Sequence, residues 1–396
     1  RGLGKEGERA AEACVAFGGA AVRGLRSFED WWRALSALAD EVLTAGDRGG
    51  RVRVRDKDEA FARLRPETAA LLEVLADGMG AFGRLAGRVE GVEDPGPALQ
   101  DDLAQLAQAG QLLRSLHHDV HFLTSDPDED WVTWIEPGPR RGIRRLGATM
   151  LEAGEILRDQ WLGSDVKPVV TSATMAVGED FTHMLQELGL TRRRPSTRTR
   201  TCHSPFDYHE QSLILVPSHF PDPSSPQFNR AVGEVIRDVA HGLGRKTMGL
   251  FTSYRAIRDA AEVMDAAPGA GGPNTPVVLT QTPRGGAGAL LEQFRNRERA
   301  VLLGTATFWE GVDFPGEALE ILVVAKLPFL VPNDPWVEAR CERVAAQGEN
   351  PFTAFMVRDA VLRLRQGFGR LIRRSTDRGV VVILDNRLHT KNYGTT

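Results

Sequence analysis

At 396 residues, with 26% charged and 42% apolar side chains, the chain is long enough for two or three domains that each bury a core, which excludes a lone small module. No uninterrupted apolar run approaches the roughly 18 residues that span a bilayer, so no membrane partner is expected. Three scattered cysteines, Cys14, Cys202 and Cys341, exclude a disulfide framework or paired-cysteine metal site and suit a cytoplasmic home, while a net charge of −4 hides local clusters of arginine.

The first ten residues, RGLGKEGERA, hold neither an initiator Met nor a basic-then-apolar leader, and the start reads as a cut inside a longer protein. Residues 1–125 predict a mainly helical region, with amphipathic runs over 28–43, 67–75 and 99–116 broken by Gly, Asp and Pro. Between them Arg51-Val52-Arg53-Val54-Arg55 alternates with period two, which predicts a short strand with one arginine face along a solvated edge. His117 and His121 lie one helical turn apart beside His118, yet no Glu or Cys stands at ligand spacing, so a surface or packing role is expected.

From Trp131 the texture changes. A strand over 131–136, a helix over 149–161 and a short buried strand over 168–171 predict an α/β layer. After an Arg- and Pro-rich connection, strands are predicted over 213–216, 247–251, 277–280, 300–303, 321–326 and 380–384, with helices over 229–242, 253–264 and 288–297 and a long helical run from Phe352. Such alternation predicts a doubly wound parallel sheet that binds ligands at the carboxyl ends of its strands. Within the connection, Arg192, Arg193, Arg194, Arg198 and Arg200 fit a phosphate grip or a solvated linker equally well, and Cys202-His203 is incidental.

Four segments carry chemistry. In Gln366-Gly367-Phe368-Gly369-Arg370-Leu371-Ile372-Arg373 two glycines interrupt a helical stretch, each costing ~1 kcal/mol relative to Ala, so close backbone approach is expected there. On a continuing helix Gln366, Arg370 and Arg373 would share a face and converge on a polyphosphate; the plain alternative is a basic helix end. Gly304-Thr305-Ala306-Thr307-Phe308-Trp309-Glu310-Gly311-Val312-Asp313 follows a strand. Thr305 and Thr307 offer hydroxyls to a phosphate or sugar, Glu310 and Asp313 offer acceptors, and Phe308 and Trp309 are expected to pack rather than stack on bases. Ser172-Ala173-Thr174 ends another strand, where capping of the next helix is the ordinary role. Thr252-Ser253-Tyr254 ends a strand and opens a helix, suited to a nucleic-acid phosphate or to simple N-capping by Ser253.

Taken in order, these segments resemble motifs III, IV, V and VI of the DinG branch of XPD-type superfamily II helicases. The resemblance runs from Trp131 to Gly394 and includes Ser204-Pro205-Phe206-Asp207-Tyr208, Phe220-Pro221-Asp222-Pro223, Lys326-Leu327-Pro328-Phe329 and Asp385-Asn386-Arg387-Leu388. It implies a RecA-like doubly wound helicase lobe over 196–396, the rear of a first RecA-like lobe over 126–195, and a mainly helical arch-like subdomain over 1–125. It further implies catalytic, arginine-finger work for Arg370, Arg373 and Gln366, and ATP coupling for Gly304, Glu310, Gly311, Asp313, Gly369, Ser172 and Thr174. DNA contact falls to Thr252, Ser253, Tyr254, Thr305 and Thr307. The implied partners are ATP with Mg2+ and single-stranded or forked DNA, read by a monomer moving 5′ to 3′, with any iron–sulfur cluster lying upstream.

No G-x-x-x-x-G-K-S/T loop is present: Gly4-Lys5 is followed by Glu6, and Gly244-Arg245-Lys246-Thr247 has the wrong order. Asp58-Glu59-Ala60-Phe61 imitates an acidic box but lacks its His and a preceding buried strand. The chain is therefore expected to be inactive as an ATPase alone; the alternative is a non-catalytic nucleic-acid-binding or scaffold protein descended from a helicase.

Overall fold

The computed structural model describes residues 5–45, 50–55, 57–89, 97–125, 130–138, 144–162, 168–172, 174–176, 178–190, 197–266, 272, 275–283, 285–305, 308, 319–369, 371–372 and 374–395. Two compact units emerge: Arg1–Glu152 with Pro332–Arg340, and Ala153–Val331 with Cys341–Thr396.

In the first unit, α1 (Lys5–Ala45), α2 (Lys57–Ala62), α3 (Arg65–Val89) and α4 (Pro97–Thr124) pack beside a small sheet. Trp31, Leu35 and Ala39 repeat every four residues on α1, as Leu71 and Leu75 do on α3, and these stripes meet in one core with Phe61, Leu64, Val120 and Ile135. Trp31 Nε1 donates to Thr68 Oγ1 at 3.0 Å, which satisfies the polar atom the indole brings into that core. The expected arginine strand is β1 (Val52–Arg53), an edge paired antiparallel to β2 (Trp131–Pro137). Its arginines do not simply face water. Arg51 pairs with Glu136 at 2.7 Å and lies over the Trp134 ring, and Arg55 pairs with Glu338 at 3.1 Å. Exposed pairs of this kind contribute at most about 1 kcal/mol each.

The predicted strand–helix–strand layer after Trp131 is not what forms. The strand β2 turns back on β3 (Arg144–Met150), antiparallel, with Trp131 opposite Met150 and Ile135 opposite Leu146. The helix expected from Thr149 begins at Gly154, as α5 (Gly154–Ile156) running into a π-turn over Leu157–Trp161. Residues 168–171 are not a strand, and Val169 is 85% exposed. Apolar β-branched residues pack into a sheet only where neighbouring backbone offers a ladder, and none does so there among the described residues.

The second unit holds the doubly wound sheet. Its strands β4 (Ser212–Leu215), β5 (Thr247–Leu250), β6 (Val277–Thr280), β7 (Ala300–Gly304), β8 (Ile321–Val324) and β9 (Gly379–Ile383) lie in the order β4-β9-β8-β5-β7-β6, all parallel. Alternate residues of the central strands feed two cores. Val301, Leu303, Ile321 and Val323 pack under α8 (Phe228–Leu243) and α9 (Tyr254–Asp265). Leu302, Leu322 and Val324 face the other way, with Phe294 of α10 (Ala287–Arg295) and with Leu371 and Ile372. Burial on both faces explains why these strands read as unbroken apolar runs. Short helices α6 (Thr182–Glu187) and α7 (Tyr208–Gln211) precede the sheet. Toward the C-terminus come α11 (Pro335–Ala346), a π-turn over Phe352–Val357 leading into α12 (Arg358–Phe368), and α13 (Arg387–Thr390).

Candidate functional site

The carboxyl edge of the six-stranded sheet gathers two of the segments singled out in the sequence, Thr252-Ser253-Tyr254 beyond β5 and Gly304-Thr305 at the end of β7. Beyond β5, Phe251 stays buried and its N–H donates to Gly304 O at 2.9 Å, extending the ladder by one residue. Ser253 then turns extended (φ −153°, ψ 150°) and its Oγ accepts from Ala256 N at 3.2 Å, starting α9. This N-cap leaves Thr252, Ser253 and Tyr254 exposed at the edge. Ser253 thus performs the ordinary capping role.

Next to it, β7 ends at Gly304. A Cβ on Gly304 would sit 2.8 Å from Phe308 Cδ2, so glycine is what lets that ring close over the strand end. Phe308 is 1% exposed, in agreement with a packing role. Thr305 donates through its N–H to Gln281 Oε1 at 2.8 Å and through its hydroxyl to the same atom at 3.0 Å. Gln281, 7% exposed at the end of β6, was not singled out from sequence; its one signal was its place directly after a strand. Thr307, Trp309, Glu310, Gly311 and Asp313 lie outside the described residues.

At the end of α12, Gln366 Nε2 donates to Thr174 Oγ1 at 3.3 Å, and Thr174 Oγ1 lies 3.1 Å from Ser172 Oγ. Arg365 Nη1 donates to Ala176 O at 2.6 Å beside them. The structure therefore brings Gln366, Ser172 and Thr174 together from positions nearly two hundred residues apart. Helix α12 ends at Phe368, and Arg370 and Arg373, expected to share a face with Gln366, lie outside the described residues. Gly369 caps the helix with ordinary right-handed geometry (φ −60°, ψ −8°), and a Cβ there would meet Arg365 O and Gln366 O at 3.6 Å, normal contact. Close approach does not explain Gly369; Gly367 is buried.

Two further loops complete the edge, from segments given no role in the sequence reading. Asp385 is fully buried after β9. Its Oδ2 accepts from Leu327 N at 2.9 Å and Arg387 Nη2 at 2.6 Å, and its Oδ1 accepts from Arg387 N at 3.1 Å and Nε at 2.8 Å. The hydrogen bond to Asp385 raises the Arg387 pKa above its ordinary value, against burial. Lys326 Nζ donates to Pro223 O at 2.6 Å over the Phe228 ring, and burial lowers its pKa from the ordinary ammonium value. These charges are spent on holding loops in place.

Asp58-Glu59-Ala60-Phe61 lies on α2 rather than at a strand end, and Phe61 is buried in the helical core. The His117 and His121 rings stack at 6.5 Å, and among the described residues no group of three or more His, Cys, Asp or Glu is placed to hold a metal. Arg198, Arg200, Cys202 and His203 are exposed, while Arg192, Arg193 and Arg194 lie outside the described residues. No described helix is long and apolar enough to cross a membrane.

Residues 236–396 match the helicase C-terminal domain family. The chain is 36% identical over 280 residues to the 3'-5' exonuclease DinG of Bacillus subtilis, covering 69% of this chain and 29% of that protein. It is 39% identical over 228 residues to the ATP-dependent DNA helicase YoaA of Haemophilus influenzae, covering 58% of this chain and 34% of the relative. With the ATP-dependent helicase DinG of Mycobacterium tuberculosis it shares 35% over 278 residues, 69% of this chain and 40% of the relative. The chain thus spans less than half the length of these relatives. Among solved structures, an XPD helicase superposes with a TM-score of 0.56 at 14% identity, over 96% of this chain and 62% of the other, and a second, apo XPD structure with 0.55 at 14%, over 92% and 67%. Residues 236–396 are accordingly a helicase C-terminal domain, in a chain that has an XPD-helicase fold with a RecA-like parallel sheet and is related to the DinG and YoaA ATP-dependent helicases.

Proposed function

We propose that this chain is the rear part of an ATP-dependent DNA helicase that couples ATP hydrolysis to 5′ to 3′ movement along single-stranded or forked DNA as a cytoplasmic monomer. The observation that carries this is the contact of Gln366 with Thr174 and, through it, Ser172: the helix that precedes the expected arginine fingers in the chain touches the segment expected to report nucleotide state. In this reading Arg370 and Arg373 stabilise charge on a transferring phosphoryl group of ATP held with Mg2+, and Gly304, Glu310, Gly311, Asp313 and Gly369 couple that site to the strand. Thr252, Ser253, Tyr254, Thr305 and Thr307 stand along the DNA. The helices of residues 1–125 play the part of an arch.

Arginine fingers act on a nucleotide that other groups must first bind, and the 396 residues hold no G-x-x-x-x-G-K-S/T loop. Alone, the chain should grip DNA and not turn over ATP. The test is ATP hydrolysis by the purified chain with and without saturating oligothymidylate, together with DNA binding across a salt series. No turnover and binding that weakens steeply with salt are expected. DNA-stimulated hydrolysis refutes the inactive-alone claim, and salt-insensitive or absent DNA binding refutes the grip. In a longer protein that includes the nucleotide-holding loop, Arg370→Ala should cut turnover about a thousandfold and leave DNA affinity unchanged. Unchanged turnover there favours a non-catalytic binding protein instead.

A further inference from the structure

Three hydroxyl- and amide-bearing side chains meet at the carboxyl edge of the sheet: Tyr254 after β5, Gln281 after β6 and Thr305 after β7. The orientation of the Gln281 amide is fixed by chemistry rather than choice. A backbone N–H can only donate, so the Gln281 atom 2.8 Å from Thr305 N must be the carbonyl oxygen. That oxygen also takes the Thr305 hydroxyl proton at 3.0 Å. Thr305 therefore has its one hydroxyl proton directed inward, and a phosphate, which only accepts, gains no hydrogen bond from it in this arrangement.

The amide nitrogen of Gln281 points the other way, to Tyr254 Oη at 3.5 Å, a long contact in which Gln281 donates. A phenol that accepts from an amide keeps its own proton to give away. Tyr254 is 38% exposed, so that proton is available at the surface. We propose that Gln281 is a positioning residue that sets hydrogen-bond polarity at this edge: it withdraws Thr305 as a phosphate donor and presents the Tyr254 hydroxyl as the donor to a phosphate oxygen of single-stranded nucleic acid. The inference rests on the DNA-grip reading above and revises it, moving the donor from Thr305 to Tyr254.

Gln281→Glu isolates the effect. A carboxylate still accepts both Thr305 donors, so the loop keeps its anchor, but it has no N–H to give and accepts the Tyr254 proton instead. The probe is a fluorescein-labelled oligothymidylate, titrated by anisotropy with the full 396-residue chain, its Gln281→Glu and Tyr254→Phe variants and the Gln281→Glu/Tyr254→Phe double variant. Loss of one hydrogen bond to a charged phosphate weakens affinity about tenfold. Tyr254→Phe and Gln281→Glu should each show that loss with an unchanged melting temperature, and the double variant should lose no more than either single change. Additive losses in the double variant mean that the carboxylate acts by bulk charge and overturn the assignment, as does parental affinity in Gln281→Glu. No binding by the unsubstituted chain overturns the DNA-grip reading itself, a result separable from the others because it precedes any substitution.

Discussion

Replacing Gly189 with alanine should loosen the segment that carries Ser172 and Thr174 more than any other methyl added nearby. Gly189 follows α6 in left-handed geometry (φ 68°), Leu190 N donates to Leu185 O at 2.7 Å and Gly189 N to Gln186 O at 2.9 Å, the paired bonds of a Schellman cap. A Cβ there would overlap Gly154 O and stand 2.5 Å from the Gly154 carbonyl carbon, at the start of α5. Both obstacles are backbone, so no rotamer change relieves them. Left-handed geometry costs a non-glycine residue about 1–2 kcal/mol, and forcing a methyl into filled space adds about 1–3 kcal/mol. Gly178→Ala supplies the control: its φ is 64°, yet nothing lies within 4 Å of its Cβ, so only the first cost applies. Native-state hydrogen exchange at the Leu185, Leu188 and Leu190 amides, each bonded within the cap or helix, reads the difference locally. Exchange should accelerate about tenfold in Gly178→Ala and about a hundredfold or more in Gly189→Ala. Equal acceleration in the two variants would show that the Gly154–Gly189 approach is not a constraint, and would refute the reasoning.

Three further outcomes follow from the sheet edge. Gly304→Ala should destabilise by about 1–3 kcal/mol in urea unfolding, because Phe308 must leave its place over the strand end, and Gly304→Ala with Phe308→Leu should recover part of that loss. Asp385→Asn should cost about 3 kcal/mol, since an amide can satisfy only some of the donors from Leu327 and Arg387 that the buried carboxylate accepts; a change under about 1 kcal/mol contradicts the network. Ser253→Ala should cost about 1 kcal/mol by removing the cap of α9, whereas Ser253→Asp should retain stability and weaken DNA binding by placing a negative charge at the proposed phosphate contact.

The parts of the fold that were legible in the sequence are those whose signal is local. Strands β5, β7 and β8 are buried on both faces, and their unbroken apolar runs announced themselves within a residue or two of their true bounds. The helix expected over 229–242 likewise forms as α8, closed by Gly244 at φ 61°. What misled was context. Trp131–Pro137 has the composition of a strand in either kind of sheet, and only its partner decides between parallel and antiparallel; that partner, Arg144–Met150, contains Gly147, against whose Cβ position the Trp134 ring packs at 2.9 Å. A glycine in a strand is a weak sequence signal, yet here it makes room for an indole, and the strand was missed for that reason. The same distinction governs the site. Ser253, Thr305 and Gln366 advertise themselves through residue type next to a strand or helix end. Gln281 carries no motif, and its importance appears only once β6 and β7 are neighbours and Thr305 turns both its donors toward it. A motif reading assigns each hydroxyl to the ligand because it sees donors without their partners. The fold decides which protons are already given away, and at this edge it leaves Tyr254, rather than the better-placed motif threonine, with one to offer.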